Sequence, residues 1–312
     1  MEKFCTICPR QCNIVRGNEY IAGGKLPGVC HAPAVPVISR AGLHHWEEPV
    51  ISGTRGSGTV FFAGCNLNCV YCQNYNISSK VQGQAVSIER LCRIYQELID
   101  LGAHNINLVT PTHYSEVILQ SLEKKLPVPV VYNTNSYDRV ETLQRFENKV
   151  DIYLADYKYA DNDLGIRYSG VKDYAETAWQ AIEEMYRQTG PYVIDDDGIM
   201  QKGVIIRHLI LPNAVENTLQ TIRKVAERFK SGEVLFSLMR QYLPCGEVSS
   251  DKYSEINRKV TDEEYEIIEN ALFDSGIEDG FVQDESSASG EFIPSFDGTG
   301  VQESNTGAVA KL

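Results

Sequence analysis

Residues 64–75 read GCNLNCVYCQNY, and the three cysteines in this stretch decide how the rest of the chain is interpreted. Cys65, Cys69 and Cys72 have the spacing Cys-x3-Cys-x2-Cys, and neither a cysteine nor a histidine follows closely behind them. Iron–sulfur clusters normally take a thiolate on every iron, so three thiolates leave one iron of a four-iron cluster without a protein ligand. The spacing therefore predicts a 4Fe-4S cluster whose open iron can bind a substrate or a cofactor. A zinc knuckle is the alternative, but structural zinc requires four closed ligands.

The aromatic residue that precedes the third cysteine, Tyr71, supports this interpretation. A Cys-x3-Cys-x2-Cys loop with an aromatic residue at that position resembles the cluster loop of the radical S-adenosylmethionine (SAM) enzymes. Four flanking residues are similar to those of the branch that contains pyruvate formate-lyase-activating enzyme: Gly64, Leu67, Asn74 and Tyr75. The resemblance extends from about residue 5 to about residue 300, so it covers most of the chain.

The resemblance implies a reaction. A radical SAM enzyme uses an electron that enters the cluster to split SAM into methionine and a 5′-deoxyadenosyl radical, and this radical takes a hydrogen atom from the substrate. In the activating-enzyme branch the hydrogen comes from a glycine backbone of a partner glycyl radical enzyme, and a protein such as flavodoxin or ferredoxin donates the electron. Another peptide or a small molecule is the alternative substrate. A non-catalytic iron–sulfur or zinc protein is the alternative class, but its clusters would have complete cysteine ligation.

The composition is that of an ordinary soluble enzyme. The chain has 312 residues, 43% of them hydrophobic, which is enough for one barrel-sized domain with a small appendage. Its net charge of −13 and the lack of a basic stripe argue against a nucleic-acid substrate. Neither a signal peptide nor an apolar run of bilayer length is visible, so we expect a cytoplasmic protein without a membrane partner. In that compartment the nine cysteines would stay reduced, which favours metal ligands and buried thiols over disulfides.

Apolar runs typical of buried strands alternate with amphipathic helical stretches along most of the chain. The strand-like runs are TVFFAG, NINLVTP, VPVVYNT, VDIYLADYKY, GVIIRHLILP and GEVLFSLM. These six strand–helix units predict an α/β fold, an open partial (β/α)6 TIM-like barrel with an N-terminal Cys-rich metal-binding extension. We expect the extension at residues 1–50, the barrel at residues 51–283 and an extended or disordered tail at residues 284–312. Asp197-Gly198 predicts a hairpin that interrupts the alternation.

Polar side chains follow the predicted strands, at the end where barrels of parallel strands build their active sites. Asp156 and Lys158 lie on the same face of the fourth strand because strand residues alternate, and they resemble the Asp-x-Lys of the activating-enzyme branch. A charged pair inside a barrel is costly unless a ligand or a partner meets it. We therefore expect both residues to contact SAM, and an ion pair at the edge of the sheet is the alternative.

Further residues are predicted to bind SAM. The stretch NTNS at residues 133–136 resembles the Asp-Thr-Asn-Gly of the same branch, which implies a SAM contact for Thr134. TPTH replaces the Gly-Gly-Glu that meets the SAM amino group in the family, so we expect hydroxyls or carbonyls, beginning with Thr110, to take its place. RHLILP resembles the fifth-strand Arg-x-Val-Val-Pro and implies that His208 neighbours SAM, whereas a histidine satisfied within the core is the alternative. Two residues of the cluster loop complete the set, Tyr71 and Asn74.

A second group of cysteines lies near the N-terminus: Cys5, Cys8, Cys12 and Cys30. Four thiolates close a metal site, and both zinc and a four-iron cluster use this ligand set. The spacing predicts a second bound metal, zinc or iron–sulfur, in a loop-rich extension. Reduced thiols without a metal are the alternative.

The stretch HHWEE at residues 44–48 offers imidazoles and carboxylates. A surface loop packed against the cluster domain is sufficient to account for it. We therefore expect it to have no role in the site.

Overall fold

Strands and helices alternate along most of the computed structural model, which describes residues 4–20, 26–289 and 293–302. The strands are β1 (Val37–His44), β2 (Ser57–Phe62), β3 (Gln84–Ala85), β4 (Ile106–Val109), β5 (Val130–Thr134), β6 (Ile152–Asp156), β7 (Val193–Ile194), β8 (Met200–Leu209), β9 (Leu235–Met239) and β10 (Gly280–Val282). The α-helices are α1 (Pro49–Ser52), α2 (Tyr75–Ser78), α3 (Ile88–Asp100), α4 (Ser115–Ser121), α5 (Val140–Gln144), α6 (Asn162–Ser169), α7 (Tyr174–Thr189), α8 (Val215–Arg228) and α9 (Asp262–Asp274). Short 3₁₀ turns lie at Thr112–Tyr114, Ser254–Ile256 and Glu285–Ser287.

One sheet holds these strands in the spatial order β10-β9-β8-β6-β5-β4-β2-β1-β3, and β7 pairs with β8 outside this order. From β2 to β10 all neighbours are parallel, whereas β1 is antiparallel to both β2 and β3. Among the described residues no strand pairing joins β10 to β3, so the sheet is open. This parallel-rich α/β architecture agrees with the predicted partial barrel.

The six predicted strands are confirmed as β2, β4, β5, β6, β8 and β9, which follow one another in the parallel part of the sheet. Every residue of β2, β4, β5 and β9 is buried, as is typical of parallel strands that are covered on both faces. The predicted hairpin at Asp197-Gly198 is also confirmed. Gly198 has a φ of 78°, a left-handed conformation that glycine adopts without strain, and β7 pairs with the first residues of β8.

Side chains alternate between the two faces of the sheet, and the faces differ in character. On the outer face Tyr132 packs against Phe146, which follows α5. On the inner face an apolar cluster joins α1 to the first half of the strands: Ile51, Val131, Ile152, Leu154, Met200, Ile205 and Leu235. Two residues further along β5, β6 and β8, the same inner face carries Asn133, Asp156 and Arg207. The apolar cluster therefore fills the interior at the amino ends of the strands, and a polar region begins above it.

Helix α3 shows how the sequence builds the covering layer. The Ser87 side chain accepts a hydrogen bond from the Arg90 backbone N–H and caps the first turn. Four apolar residues at helical spacing are buried on one face: Leu91, Ile94, Tyr95 and Leu98. Gly102, with a φ of 89°, turns the chain after the helix ends. In the described part of the chain, no helix combines the length and the apolar content required to cross a membrane.

The sheet is larger than the sequence indicated. β1 lies within residues 1–50 and pairs along its length with β2, and β10 adds a short parallel strand beyond β9. Residues 293–302 of the predicted tail also reach the sheet, where the Ala41 backbone N–H donates to the Thr299 carbonyl (2.9 Å). The remaining parts of the two terminal segments lie outside the described residues: 1–3, 21–25, 290–292 and 303–312.

Candidate active site

A cavity of about 580 Å³ lies at the carboxyl ends of the parallel strands, a volume typical of small-molecule sites. Nine residues that the sequence predicted as ligands line it: Cys65, Cys69, Tyr71, Cys72, Asn74, Thr110, Thr134, Asp156 and Lys158. They come from the loop after β2 and from the ends of β4, β5 and β6. Because parallel strands end at the same edge of a sheet, residues distant in sequence converge there.

The cysteine triad, Cys65, Cys69 and Cys72, is largely buried at this cavity, and two of its thiols accept hydrogen bonds. Asn135 Nδ2 donates to Cys65 Sγ (3.4 Å), and Ser169 Oγ donates to Cys69 Sγ (3.2 Å). Burial, together with the charge of Cys69, raises the pKa of Cys65 to about 12 and that of Cys72 to about 11. These two groups therefore need a bound cation to become thiolates at neutral pH.

The triad fits the ligand set of an iron–sulfur cluster. Each cysteine of a cluster binds a different iron, so the three sulfur atoms need not converge on one point. Within residues 4–20, 26–289 and 293–302, no three His, Cys, Asp or Glu side chains are arranged to hold one metal ion. Hydrogen bonds to the sulfur atoms are also typical of cluster ligands, because they stabilise the thiolate charge. The donor set therefore agrees with the predicted 4Fe-4S cluster.

The guanidinium of Arg10 holds the triad's loop in place. It donates to the carbonyl oxygens of Asn66 (2.9 Å) and Leu67 (3.1 Å) in that loop and of Ser169 (2.7 Å) and Gly170 (2.8 Å) at the end of α6. Hydrogen bonds from one rigid guanidinium to four carbonyl oxygens therefore connect the N-terminal segment, the loop and α6. Sequence analysis gave Arg10 no role, and its position within the stretch CPRQC is the only signal that could have indicated one.

Asp156 and Lys158 line the cavity and also form an ion pair. Lys158 Nζ donates to Asp156 Oδ2 (2.7 Å), and Arg207 Nε donates to Asp156 Oδ1 (2.7 Å). Burial acts to raise the pKa of Asp156, but Arg207 and Lys158 lower it below its ordinary value. Burial likewise acts against the charge of Lys158, but the Asp156 carboxylate raises the pKa of the ammonium overall. Both groups are therefore ionised. Their placement on one face is as expected, whereas the sequence did not indicate Arg207 as a partner.

The hydroxyl protons of Tyr71 and Thr134 are already used within the protein. Tyr71 Oη donates to Tyr159 Oη (2.7 Å), and Thr134 Oγ1 donates to Asp138 Oδ2 (2.5 Å). The ring of Tyr71 and the methyl group of Thr134 remain for contact with a ligand. Thr110 has a φ of 58°, a conformation that is costly for a β-branched residue and that clusters at functional sites.

The structure corrects the expectation for His208, which is fully buried and does not line the cavity. Its Nδ1 contacts the Tyr157 carbonyl oxygen (2.6 Å), and its Nε2 contacts Thr218 Oγ1 on α8 (3.0 Å). Alternation along β8 directs Arg207 into the cavity and His208 toward the helices, so the two neighbouring polar residues face opposite ways. His208 is thus a histidine whose two ring nitrogens are satisfied within the core.

The stretch HHWEE is only partly a surface loop, because its two glutamates are buried. The side chains of Glu47 and Glu48 are 10% and 7% exposed, and both residues line the cavity. Glu47 accepts hydrogen bonds from Asn107 (3.1 Å), Asn133 (3.2 Å) and Arg207 (3.1 Å). Sequence analysis missed both glutamates because the contact with Arg207 joins residues 160 positions apart.

The four N-terminal cysteines, Cys5, Cys8, Cys12 and Cys30, line one small cavity of about 10 Å³. Burial raises the pKa of Cys8 to about 12, and the charges of the other three cysteines add to the increase. The four thiols are therefore close enough to interact electrostatically. Among the described residues, these four cysteines are not arranged to hold a single metal ion. The structure brings the four predicted ligands together without a preformed single-ion geometry.

Comparisons with known protein sequences identify relatives of the chain. A family model described as the radical SAM superfamily matches residues 59–196. The uncharacterized protein MJ0674 of Methanocaldococcus jannaschii is 31% identical over 279 residues, which cover 86% of this chain and 73% of that protein. Neither match supports the narrower assignment to the branch of pyruvate formate-lyase-activating enzyme.

Solved structures that match part of the chain include SuiB of Streptococcus suis bound to precursor peptide SuiA and methylornithine synthase (PylB). SuiB has a TM-score of 0.46 and 15% identity, and the match covers 70% of this chain and 46% of SuiB. PylB has a TM-score of 0.47 and 12% identity, with coverage of 70% of this chain and 68% of PylB. The matched region thus spans about half the length of SuiB.

We predict that replacing His208 with Gln weakens the acid sensitivity of the fold and leaves SAM binding unchanged. Burial lowers the pKa of His208 from 6.5 to about 4, so the folded chain prefers the neutral imidazole. This stabilisation is present above pH 6.5 and is lost as the pH falls toward 4, by up to roughly 3 kcal/mol. Urea unfolding at a series of pH values and SAM titration of the variant measure both effects. An unchanged pH profile combined with weaker SAM binding would return His208 to the cofactor site.

Proposed function

Because the chain belongs to the radical SAM superfamily, we propose that it is an enzyme that holds a 4Fe-4S cluster at the cysteine triad and binds SAM in the adjoining cavity. The observation that carries the proposal is the position of Cys65, Cys69 and Cys72, whose thiols face a cavity at the carboxyl ends of parallel strands. Three ligands leave one coordination position for a cofactor. A non-catalytic protein would have no need for a cavity with ionised groups beside an incompletely ligated cluster.

A cluster held by Cys65, Cys69 and Cys72 and reduced by a donor such as flavodoxin or ferredoxin would supply the electron that cleaves SAM to methionine and a 5′-deoxyadenosyl radical, which would take a hydrogen atom from the substrate to give 5′-deoxyadenosine. The chain's own residues have to orient the reactants and keep other C–H bonds away, since a primary carbon radical is unselective. The buried walls of the cavity and the residues of β10 that line it serve this purpose.

Asp156 and Lys158 are the charged residues that we propose to hold SAM. Burial acts to lower the pKa of Lys158, but Asp156 and then the charge of Cys69 raise it, so the ammonium lies within electrostatic reach of the triad. An ammonium at this position attracts a carboxylate, and the Asp156 carboxylate accepts hydrogen bonds from hydroxyls or an amino group. Arg207 fixes Asp156 from the other side, so the pair is preorganised before a ligand arrives. Four further cavity residues complete the proposed SAM site: Tyr71, Asn74, Thr110 and Thr134.

The glycine backbone of a partner glycyl radical enzyme is the substrate that the resemblance to the activating enzymes implies, and it belongs to this proposal. Its support is the sequence of the cluster loop and the Asp-x-Lys at the end of β6. Another peptide or a small molecule would use the same hydrogen abstraction, because superfamilies of this kind share chemistry more widely than substrates.

We also propose that the N-terminal cysteines bind a second metal, zinc or an iron–sulfur cluster. The support is that Cys5, Cys8, Cys12 and Cys30 line one small cavity. In addition, the charges of the other three cysteines help to raise the pKa of Cys8. A metal there would stabilise the segment that carries Arg10, and through Arg10 it would stabilise the triad's loop.

Replacing Cys65, Cys69 or Cys72 with Ala is expected to abolish both the iron–sulfur absorbance and the formation of 5′-deoxyadenosine, because each removes one of only three ligands. The measurement is iron content, visible absorbance and product analysis after anaerobic reconstitution with SAM and dithionite. Cys92→Ala is the matched control, since Cys92 is exposed on α3. A Cys69→Ala variant that forms 5′-deoxyadenosine at the wild-type rate, or a reconstituted wild type that forms none, would contradict the proposal.

Replacing Cys8 with Ala is expected to remove the second metal and to lower the melting temperature, while the triad keeps its iron and its response to SAM. Cys8 is the right position because it is buried among the other three cysteines. Elemental analysis of wild type and variant distinguishes zinc from iron. A wild-type protein that holds no metal beyond the four irons of one cluster would show that the N-terminal thiols are unliganded.

A further inference from the structure

Glu47 and Glu48 follow β1 and line the cavity next to Arg207. Arg207 Nη1 donates to Glu47, and Arg207 Nε donates to Asp156. Asn133, near the end of β5, also donates to Glu47. A group bound at the glutamates would therefore lie close to the pair formed by Asp156 and Lys158.

One carboxylate oxygen of these two glutamates has no hydrogen-bond partner. Glu48 is 8% exposed, and its Oε2 is buried without a donor, although the residue lines the cavity. The nearest cation is Arg207, whose Nη1 lies 3.6 Å away and already donates to Glu47. The other nitrogen atoms of Arg207 donate to Asp156 and Asn133. Arg207 Nη1 is beyond hydrogen-bond distance of Glu48 Oε2, so Glu48 has an ion-pair contact but no donor.

The charges that line the cavity do not balance. Three carboxylates, those of Glu47, Glu48 and Asp156, face two cations, Lys158 and Arg207. His44, which also lines the cavity, does not supply the missing charge, because burial lowers the pKa of His44 to about 4. Burial raises the pKa of Glu47 and of Glu48, because a surplus negative charge at a position shielded from water is unfavourable until a cation meets it.

We propose that Glu48, with Glu47 beside it, binds an ammonium or guanidinium group of the substrate. This inference rests on the proposed function and adds the chemical class of the substrate to it. Arg207 joins Glu47 to Asp156, so the cationic group of the substrate would lie beside bound SAM. The apolar side chains of Phe61 and Met239 line the cavity and suit the methylene groups of such a substrate. Trp46, 63% exposed and also part of the lining, offers an aromatic face to a cation entering the site.

Binding of three matched probes to the full chain, reconstituted with its cluster and saturated with SAM, tests the proposal. The probes are Nα-acetyl-lysinamide, Nα-acetyl-argininamide and the neutral Nα-acetyl-norleucinamide, titrated calorimetrically. At least one charged probe is expected to bind about 10-fold or more tightly than the neutral one. Preference for the lysine probe identifies an ammonium site, and preference for the arginine probe identifies a guanidinium site.

Glu48→Gln is expected to remove this preference and to leave thermal stability equal to or higher than that of the wild type, because a buried carboxylate without a hydrogen-bond donor is replaced by a neutral group of the same shape. Glu216→Gln, an exposed position on α8, is the matched control and keeps the preference. Glu47→Gln, expected to weaken the preference as well, serves as a second variant should Glu48→Gln lose its fold by circular dichroism.

Equal binding of charged and neutral probes by the wild type, or an undiminished preference in a folded Glu48→Gln protein, would overturn the inference. Formation of 5′-deoxyadenosine in the absence of any probe is measured in parallel. If the wild type cleaves SAM but does not discriminate between the probes, only the substrate class is wrong. If it does not cleave SAM, the proposed function itself fails.

Discussion

The buried guanidinium of Arg207 is the group on which the interior of the sheet depends. It donates to Asp156, Glu47 and Asn133 and thereby joins β8 to β6, to β5 and to the segment before α1. Without it, Glu47 and Glu48 would lose their cation, and removing one partner of such a buried network typically costs about 3–5 kcal/mol. The same contacts keep Asp156 ionised beside Lys158. The apolar cluster around Ile51 closes the interior below this network, so the cavity has a sealed floor and a charged wall.

The triad depends on a second constraint, because its loop has to present three thiols without regular secondary structure of its own. Backbone carbonyls that a strand or helix would satisfy are met here by the Arg10 side chain. The same guanidinium reaches Ser169 and Gly170, and Ser169 in turn donates to Cys69. The N-terminal segment is thus coupled to the site by hydrogen bonds, and any metal that stabilises this segment acts on the triad through Arg10.

The sequence was sufficient where local pattern decides the outcome. Apolar runs located the six central strands, and cysteine spacing located the triad, because both signals lie within a few residues. The predicted SAM contact of His208 was wrong because both faces of a parallel strand are buried. Composition therefore does not reveal which of two adjacent polar residues faces the cavity. Glu47 and Glu48 were missed because their partners lie on distant strands and appear only after the sheet has formed. β10 was missed because a strand of three residues carries too short a pattern.

The measurement that tests the central claim most directly is electron–nuclear double resonance of the reduced protein with SAM labelled with ¹⁵N at its amino group. If the cluster at Cys65, Cys69 and Cys72 has an open iron that SAM chelates, a ¹⁵N coupling to the cluster spin will be observed and will persist in the Cys8→Ala protein. A reduced cluster that shows no ¹⁵N coupling at saturating SAM would contradict the account.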